Sequence, residues 1–325
     1  MPHTPNTLNL VADIGGTNTR VALARGKTLL AETVAKYKNA DHSSLQDVLQ
    51  RFIHEQGDVD TRAACIAIAG PVRDGKATMT NLNWEIDLAT LASAAKAENS
   101  AILNDLQAQG HALDHLDPSS ECQVVKGSSN TSGETRMMVG LGTGFNIAPV
   151  FETPHGRMIP PSESGHISLP TRTDLDKKLA SAFEAKFGFA TIEHALSGSG
   201  LENLYDFHSM NLADAKSKSA AEIVASCEAG TDPAATRAVQ HFVRLLGTVC
   251  GDLALVQLPF SGVYLVGGVA RAMSQHLSAF GFSEAFRDKG RFQDFMAAFN
   301  VYTVTDDFAA LTGCATYIES TATSN

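Results

Sequence analysis

A glycine-rich segment near the start of the chain, Asp13-Ile14-Gly15-Gly16-Thr17-Asn18, follows an apolar run. Glycines let a backbone approach a phosphate closely and point N–H groups at it, and Thr17 adds a hydroxyl donor. Asp13 could hold Mg²⁺ through water, because this ion keeps several waters and takes one or two carboxylates. The alternative for this segment alone is a tight hairpin turn with a surface aspartate.

Two later glycine segments have the same character. Gly142, Thr143 and Gly144 lie in GLGTG and could contact the terminal phosphates of a nucleotide. Gly267 and Gly268 follow an apolar run, where glycine would let a flat adenine or ribose lie against the backbone. Each could be a plain strand-ending turn, but the three together indicate a nucleotide site. The string G-x-x-x-x-G-K-[ST] does not occur, so a P-loop enzyme is not predicted.

Several side chains could act on a hydroxylated substrate. Asp105 follows Asn104 at the end of a short apolar run, where it could be a general base or the N-cap of the next helix. Glu163 and His166, three residues apart, offer an acceptor pair for vicinal hydroxyls, although an isolated histidine is more often structural. Glu193 falls near the start of a predicted helix, where its alternative is a dipole-favoured surface position.

The elements that must position these residues are strands and helices in mixed order. Residues 8–24 predict a strand–turn–strand unit, and Met137–Val150 resembles it, as a weak internal repeat. Further strands are predicted at 31–38, 63–69, 101–104, near 124, at 262–269 and at 301–304. Helices are predicted at 43–55, 88–97, 106–116, 192–205, 220–228, 233–255, 292–299 and 309–318. This order indicates an α/β or α+β protein in two lobes rather than a solenoid or a barrel.

Composition excludes some classes. The 325 residues suit two domains, and the net charge of −10 disfavours binding to nucleic acid or an anionic membrane. The five cysteines form no C-x-x-C pair, which fits a reducing compartment and gives no zinc site or disulfide framework. The N-terminus shows no signal peptide. The longest uncharged stretch, 253–270, is interpreted as helix end, turn and strand rather than a membrane span.

A set of segments occurs in an order that resembles the bacterial ATP-dependent glucokinases. The resemblance covers residues 8 to about 318 and includes the DKGRF segment at 288–292. The combination of segments is specific, although no single one is. The segments are LVADIGGTNTRVALA, IAIAGPV, MTNLNWEI, ILNDLQA, VGLGTGF, PSESGHISLP, HALSGSGLENLY and VYLVGGVAR.

This resemblance implies the two-lobed fold of the sugar-kinase, Hsp70 and actin superfamily, which binds ATP in an interdomain cleft. We expect a small α/β domain at 1–112, completed by a C-terminal helix at 306–325, and a large α+β domain at 113–305. The implied activity is transfer of the ATP γ-phosphate to the C6 hydroxyl of glucose with Mg²⁺. A cytoplasmic homodimer without nucleic-acid or membrane partners is also implied.

The resemblance also implies a role for each candidate residue. Asp105 is similar to the family's catalytic base, and Asp13 to Thr17 are similar to its first phosphate loop. The sugar would be bound by Asn104, Asp105, Glu163, His166 and Glu193, with Asn81 as a further candidate near the sugar. The nucleotide would be bound by Asp13, Gly15, Gly16, Thr17, Asn18, Gly142, Thr143, Gly144, Gly267 and Gly268.

Departures from the family pattern border the sugar residues. They are Phe145-Asn146 after the second glycine loop, Ser164 before Gly165, and Leu106 where an aromatic residue is usual. They leave open a kinase for another hexose or an amino sugar. A non-catalytic sugar-binding regulator is the alternative of a different class, but it would be expected to lose the base or the phosphate glycines. The cysteine-rich zinc motif of the related repressor and kinase group is absent, so no structural zinc is predicted.

Overall fold

The computed structural model describes residues 7–79, 82, 84–116, 122–127, 135–210 and 216–322. The chain divides into two compact units: Met1–Leu116 with Asp306–Asn325, and Asp117–Thr305. The strands are β1 Leu8–Ile14, β2 Asn18–Arg25, β3 Thr28–Leu29, β4 Ala35–Lys38, β5 Ala63–Ile68, β6 Val72–Arg73, β7 Lys76–Thr78, β8 Glu85–Asp87, β9 Asn99–Asn104, β10 Cys122–Lys126, β11 Thr135–Leu141, β12 Phe145–Thr153, β13 Gly156–Met158, β14 Val263–Val266 and β15 Val301–Val304. The helices are α1 Leu45–Glu55, α2 Leu88–Ala95, α3 Asp105–Ala112, α4 Asp174–Phe187, α5 Gly198–Ser209, α6 Ala220–Glu228, α7 Pro233–Gln257, α8 Gly268–Leu277, α9 Phe282–Arg287 and α10 Ala309–Ala322.

The first unit is built on a sheet with strand order β3-β2-β1-β5-β9, and β4 also pairs with β2. Strand β5 reads AACIAI and is buried at every position, as expected for a parallel strand covered on both faces. Alternate residues of β1 separate the two faces. Leu10 packs with α1 and α2, whereas Val11 packs with α10.

The second unit has the sheet order β10-β15-β14-β11-β12-β13. Helix α7 supplies much of its core, because a long stripe of its apolar residues is buried. The two sheets share one plan. In the first sheet, β1 forms an antiparallel hairpin with β2 and pairs in parallel with β5, which pairs in parallel with β9. In the second sheet, β11 forms an antiparallel hairpin with β12 and pairs in parallel with β14, which pairs in parallel with β15. The weak internal repeat predicts the hairpin part of this plan, β1 with β2 and β11 with β12.

Some predicted elements differ in the structure. The helix expected from residue 192 begins at Gly198, after a turn at 192–197, because the main chain there bonds to residues 165–167 instead. The expected helix at 292–299 is two short 3-10 segments, Gly290–Phe292 and Phe295–Ala298. The expected strand at 31–38 is a 3-10 turn, Ala31–Thr33, followed by β4.

Helix α7 is also long and apolar enough to cross a membrane by length and composition alone. However, 67% of its most apolar window is buried inside the second unit. A core helix passes the same test, and this degree of burial is typical of one.

The tightest helix contact in the first unit lies at Gly313 of α10. A Cβ at this position would lie 1.7 Å from the carbonyl oxygen of Ala108 in α3. We predict that Gly313→Ala lowers the free energy of unfolding by about 2 kcal/mol, because the helices must separate. Alanine elsewhere in a helix is about 1 kcal/mol better than glycine.

Urea denaturation of Gly313→Ala beside Ser320→Ala, an exposed position on the same helix, measures this effect. A Gly313→Ala protein as stable as the wild type would show that the helices tolerate the extra methyl group.

Candidate active site

Three neighbouring parallel strands of the first unit end at one edge of the sheet. The register pairs Ile14 of β1 with Ile68 of β5, and Ile68 with Asn104 of β9. Asp13 and Asp105 therefore lie at the same edge, since the carboxyl ends of parallel strands meet there. The sequence prediction that both residues belong to one site is consistent with this register.

Asn104, rather than Asp105, caps helix α3. Its Oδ1 accepts the N–H of Leu106 at 3.0 Å, and its Nδ2 donates to the Gly70 carbonyl at 3.1 Å. The main-chain N–H of Asn104 donates to Gln107 Oε1 at 3.1 Å, which completes a capping box. The helix expected from Leu106 begins at Asp105, so the alternative reading of Asp105 as the cap is wrong. Its carboxylate accepts the Leu106 N–H at 2.9 Å in the first helical turn.

Burial raises the pKa values of both Asp105 and Asp13 above that of a free aspartate. Burial, and the nearby charge of Asp13, raise the pKa of Asp105 from 3.8 to about 6, although its bond with Leu106 lowers it in part. Burial also raises the pKa of Asp13, partly offset by Arg20, whose Nη1 lies 3.3 Å from Asp13 Oδ2. Asp105 remains ionised at neutral pH, with a pKa well placed for accepting a proton.

The first glycine turn joins β1 to β2 and is held by a residue that sequence reasoning missed. Asn39 is buried; its Nδ2 donates to the Gly15 carbonyl at 2.8 Å, and its main-chain N–H donates to the Thr17 carbonyl at 2.9 Å. Gly16 and Thr17 are exposed at the tip. No local motif marks Asn39, because β4 brings it to the turn although it lies 24 residues after Gly15.

The second glycine turn, between β11 and β12, carries Glu193 directly over it. Glu193 Oε2 accepts the N–H of Phe145 at 2.9 Å, and a Cβ on Gly144 would lie 2.5 Å from the same oxygen. Gly142 accepts the Gly198 N–H at 2.8 Å. The structure thus brings Glu193 to Gly142, Thr143 and Gly144. It lies in a turn rather than in a helix, so a helix dipole does not explain its position.

Glu163 precedes a 3-10 turn, Ser164–His166, that ends with His166, and both side chains are exposed. The main-chain N–H of His166 donates to the Glu163 carbonyl at 3.1 Å. The departure residue Asn146 reaches this turn: its Oδ1 accepts the Ser164 N–H at 3.0 Å, and its Nδ2 lies 3.4 Å from Glu163 Oε2 and bonds the Ser162 carbonyl. Asn146 therefore positions the segment that carries Glu163.

Gly267 and Gly268 follow β14, at the start of α8. Gly267 has φ +104°, and a Cβ there would lie 2.3 Å from the Leu141 carbonyl oxygen, so only glycine fits. A Cβ on Gly268 would meet nothing within 4 Å. The backbone at Gly268 is therefore open to a flat group. Asn81, the remaining sugar candidate, lies outside the described residues.

Comparison with known proteins identifies the family. The sequence model of the glucokinase family matches residues 10–321. The chain belongs to the glucokinase family. It is 32% identical to a glucokinase of Chromohalobacter salexigens, over 94% of this chain and 95% of that one, and 33% identical to a glucokinase of Chelativorans sp., over 96% and 92%. The crystal structure of a glucokinase from an Antarctic psychrotroph matches with a TM-score of 0.85 and 31% identity, over 96% of this chain and 98% of that one.

Membership confirms the predictions made from the resemblance about fold class, enzyme class and reaction. The fold is the mixed α/β fold of the sugar kinases and actin-like ATPases, and the chain is an ATP-dependent kinase of glucose. The roles of individual residues stay predictions of this sequence.

The raised pKa of Asp105 predicts a cost to stability. The folded protein holds this proton more tightly than the unfolded chain, so the stabilising contribution is present below pH 3.8 and is lost as the pH rises through about 6. We predict that Asp105→Asn raises the free energy of unfolding by about 3 kcal/mol near pH 8. The gain should shrink below pH 6 and vanish near pH 4.

Urea denaturation at several pH values measures this gain, with the exposed Asp60→Asn as the matched control. A gain that does not change with pH would contradict the electrostatic origin.

Proposed function

We propose that Asp105 is the base that accepts the C6 hydroxyl proton of glucose as the oxygen attacks the γ-phosphorus of ATP. The new O–P bond forms as the bond from that phosphorus to the β,γ-bridging oxygen breaks, giving glucose 6-phosphate and ADP. The observation that carries this proposal is a partly buried carboxylate at a strand end with a pKa of about 6. Such a group is ionised at neutral pH and gains a proton readily.

Sugar recognition is assigned to Glu163, His166, Glu193 and Asn104. Carboxylates and an imidazole on turns suit bonds to ring hydroxyls. The exposure of Glu163 and His166 supports contact with a ligand, and Glu193 keeps one carboxylate oxygen beyond its bond to Phe145. Asn104 already accepts from Leu106 and donates to Gly70, so it would offer its second amide hydrogen and second lone pair. Asn81 stays a further candidate.

Nucleotide recognition is assigned to the three glycine segments. Gly15, Gly16, Thr17 and Asn18 would present N–H and hydroxyl donors to the phosphates, as would Gly142, Thr143 and Gly144. The open space beside Gly268 supports contact with adenosine, while Gly267 provides the turn.

The donor set at Asp13 fits Mg²⁺. Burial raises the cost of ionising Asp13, and the charge of Asp13 adds to the cost of ionising Asp105, costs that a nearby cation would relieve. Mg²⁺ prefers one or two carboxylates with water and substrate phosphates, and no cluster of three or more His, Cys, Asp or Glu ligands occurs among the described residues. Asp13 would hold the ion through water. When bound with ATP, the ion would offset charge on the phosphate oxygens.

Assembly and location extend this proposal by family resemblance. We propose a cytoplasmic homodimer whose ligands are glucose and ATP, without nucleic-acid or membrane partners. The net charge of −10 supports the absence of nucleic acid.

The function is tested by ADP formation with Mg·ATP and glucose, mannose, fructose, glucosamine, N-acetylglucosamine or N-acetylmannosamine. We predict glucose as the preferred substrate, and a fall in kcat for Asp105→Asn of about 10²–10⁴-fold, because the proton acceptor is lost. Binding of glucose to this variant, measured by calorimetry, should persist.

Asp60→Asn is the matched control for this loss. Preference for another sugar would move specificity to Asn146 and Ser164 and overturn the assignment of glucose. Near-normal turnover of Asp105→Asn would overturn Asp105 as the base.

Replacement of His166 separates sugar binding from nucleotide binding. Its exposed ring allows His166→Ala to fold normally, so we predict that the Kd for glucose rises by about tenfold, as for the loss of one good hydrogen bond. The Kd for a non-hydrolysable ATP analogue should change by less than about twofold, which is within the error of the measurement. The exposed His155→Ala is the control in the same unit. Equal losses for both ligands would argue against a sugar role.

A further inference from the structure

Asn39 donates hydrogen bonds to two carbonyl groups of the first glycine turn, those of Gly15 and Thr17. Strand β4 lies antiparallel to β2, with Lys38 opposite Asn18, so residue 39 falls opposite Thr17. The main-chain N–H of Asn39 continues this ladder to the Thr17 carbonyl at 2.9 Å. Its side chain then crosses the turn, and Nδ2 donates to the Gly15 carbonyl at 2.8 Å. One buried residue thus fixes both ends of the turn.

Thr19 sets the orientation of the Asn39 amide. The hydroxyl of Thr19, which is fully buried on β2, donates to Asn39 Oδ1 at 2.8 Å. An amide whose oxygen accepts from Thr19 must aim its nitrogen elsewhere, here at the Gly15 carbonyl. Thr19, Asn39 and the turn therefore form one buried network, and such networks act as a unit.

Fixing two carbonyls also fixes two N–H groups. In a trans peptide the carbonyl and the following N–H point in opposite directions, because the unit is planar. With the Gly15 and Thr17 carbonyls held toward Asn39, the N–H groups of Gly16 and Asn18 point away from it. Gly16 and Thr17 are exposed at this tip. The turn is thereby prepared to receive an anion on the side opposite Asn39.

We propose that Asn39, oriented by Thr19, is a positioning residue that aims the Gly16 and Asn18 N–H groups at the phosphates of ATP. This inference rests on the proposed function of the first glycine turn. Asn39 contacts no substrate itself. It lowers the cost of binding by holding the turn in its binding conformation before the nucleotide arrives.

The test compares Asn39→Ala, Thr19→Val and Thr19→Ser for binding of a non-hydrolysable ATP analogue and of glucose, each by calorimetry, and for steady-state KM. We expect the analogue Kd and the KM for ATP to rise by about tenfold in Asn39→Ala and Thr19→Val, as for the loss of a buried hydrogen bond. Thr19→Ser keeps the hydroxyl and should restore affinity to within about twofold. The glucose Kd should change less than about twofold in all three.

Asn9 provides a matched control. It is a fully buried asparagine on β1, but its side chain bonds Gly26 and Glu319 at the other end of the strand. Asn9→Ala should lose stability as Asn39→Ala does and keep its affinity for the ATP analogue. A cycle of Asn39→Ala with Thr19→Val should be non-additive, because both remove the same network.

Two results would overturn the proposal. One is an unchanged analogue Kd in Thr19→Val, a variant that tests the network even where Asn39→Ala does not fold. The other is an equal rise in the Kd for glucose and for the analogue, which a general structural role would produce. Failure of the proposed function itself is distinguishable, since the wild-type protein would then bind no ATP analogue or would form no ADP with any sugar.

Discussion

The first unit depends on one constraint: two carboxylates are held where the neighbouring parallel strands β1, β5 and β9 end. Residues of β1, β5 and β9 pack into apolar clusters on both faces of the sheet, and burial removes water from Asp13 and Asp105. Ionising both groups there costs free energy, which Arg20 and the start of α3 offset only in part. This remaining cost of ionisation favours both the uptake of a proton and the binding of a cation, which are the two tasks of the proposed site.

In the second unit, a carboxylate is held by a glycine turn rather than at strand ends. Glu193 accepts the Phe145 N–H and covers Gly144, so a carboxylate and a glycine turn share one hydrogen bond. Gly165 is forced to be glycine by the same packing, because a Cβ there would lie 2.1 Å from the Phe145 carbonyl oxygen. Asn146 and Ser164, which depart from the family pattern, are joined by a hydrogen bond from the Ser164 N–H to Asn146 Oδ1. They form an alternative support for the segment that carries Glu163.

Much of this arrangement could be predicted from the sequence, because its signals are local. The hairpins at Gly15 and Gly142, the buried strand β5 and the long helix α7 follow from periodicity and from glycine. Helix α4 was missed although Thr173 and Asp176 form a capping box that marks its start. The start of α5 and the role of Asn39 could not be predicted, because both are decided by bonds between segments far apart in the chain. Long-range pairing overrides local propensity at such places.

The return of the chain to its first unit has a consequence for biosynthesis. Helix α10 covers the face of β1 and β5 that carries Val11 and Cys65, yet it follows the whole of Asp117–Thr305. A ribosome that adds about 5–20 residues per second needs about 10–40 s to make that intervening part. During this interval the nascent sheet exposes an apolar face that its own chain cannot yet cover. The newly made N-terminal segment is therefore a natural client for chaperones until translation ends.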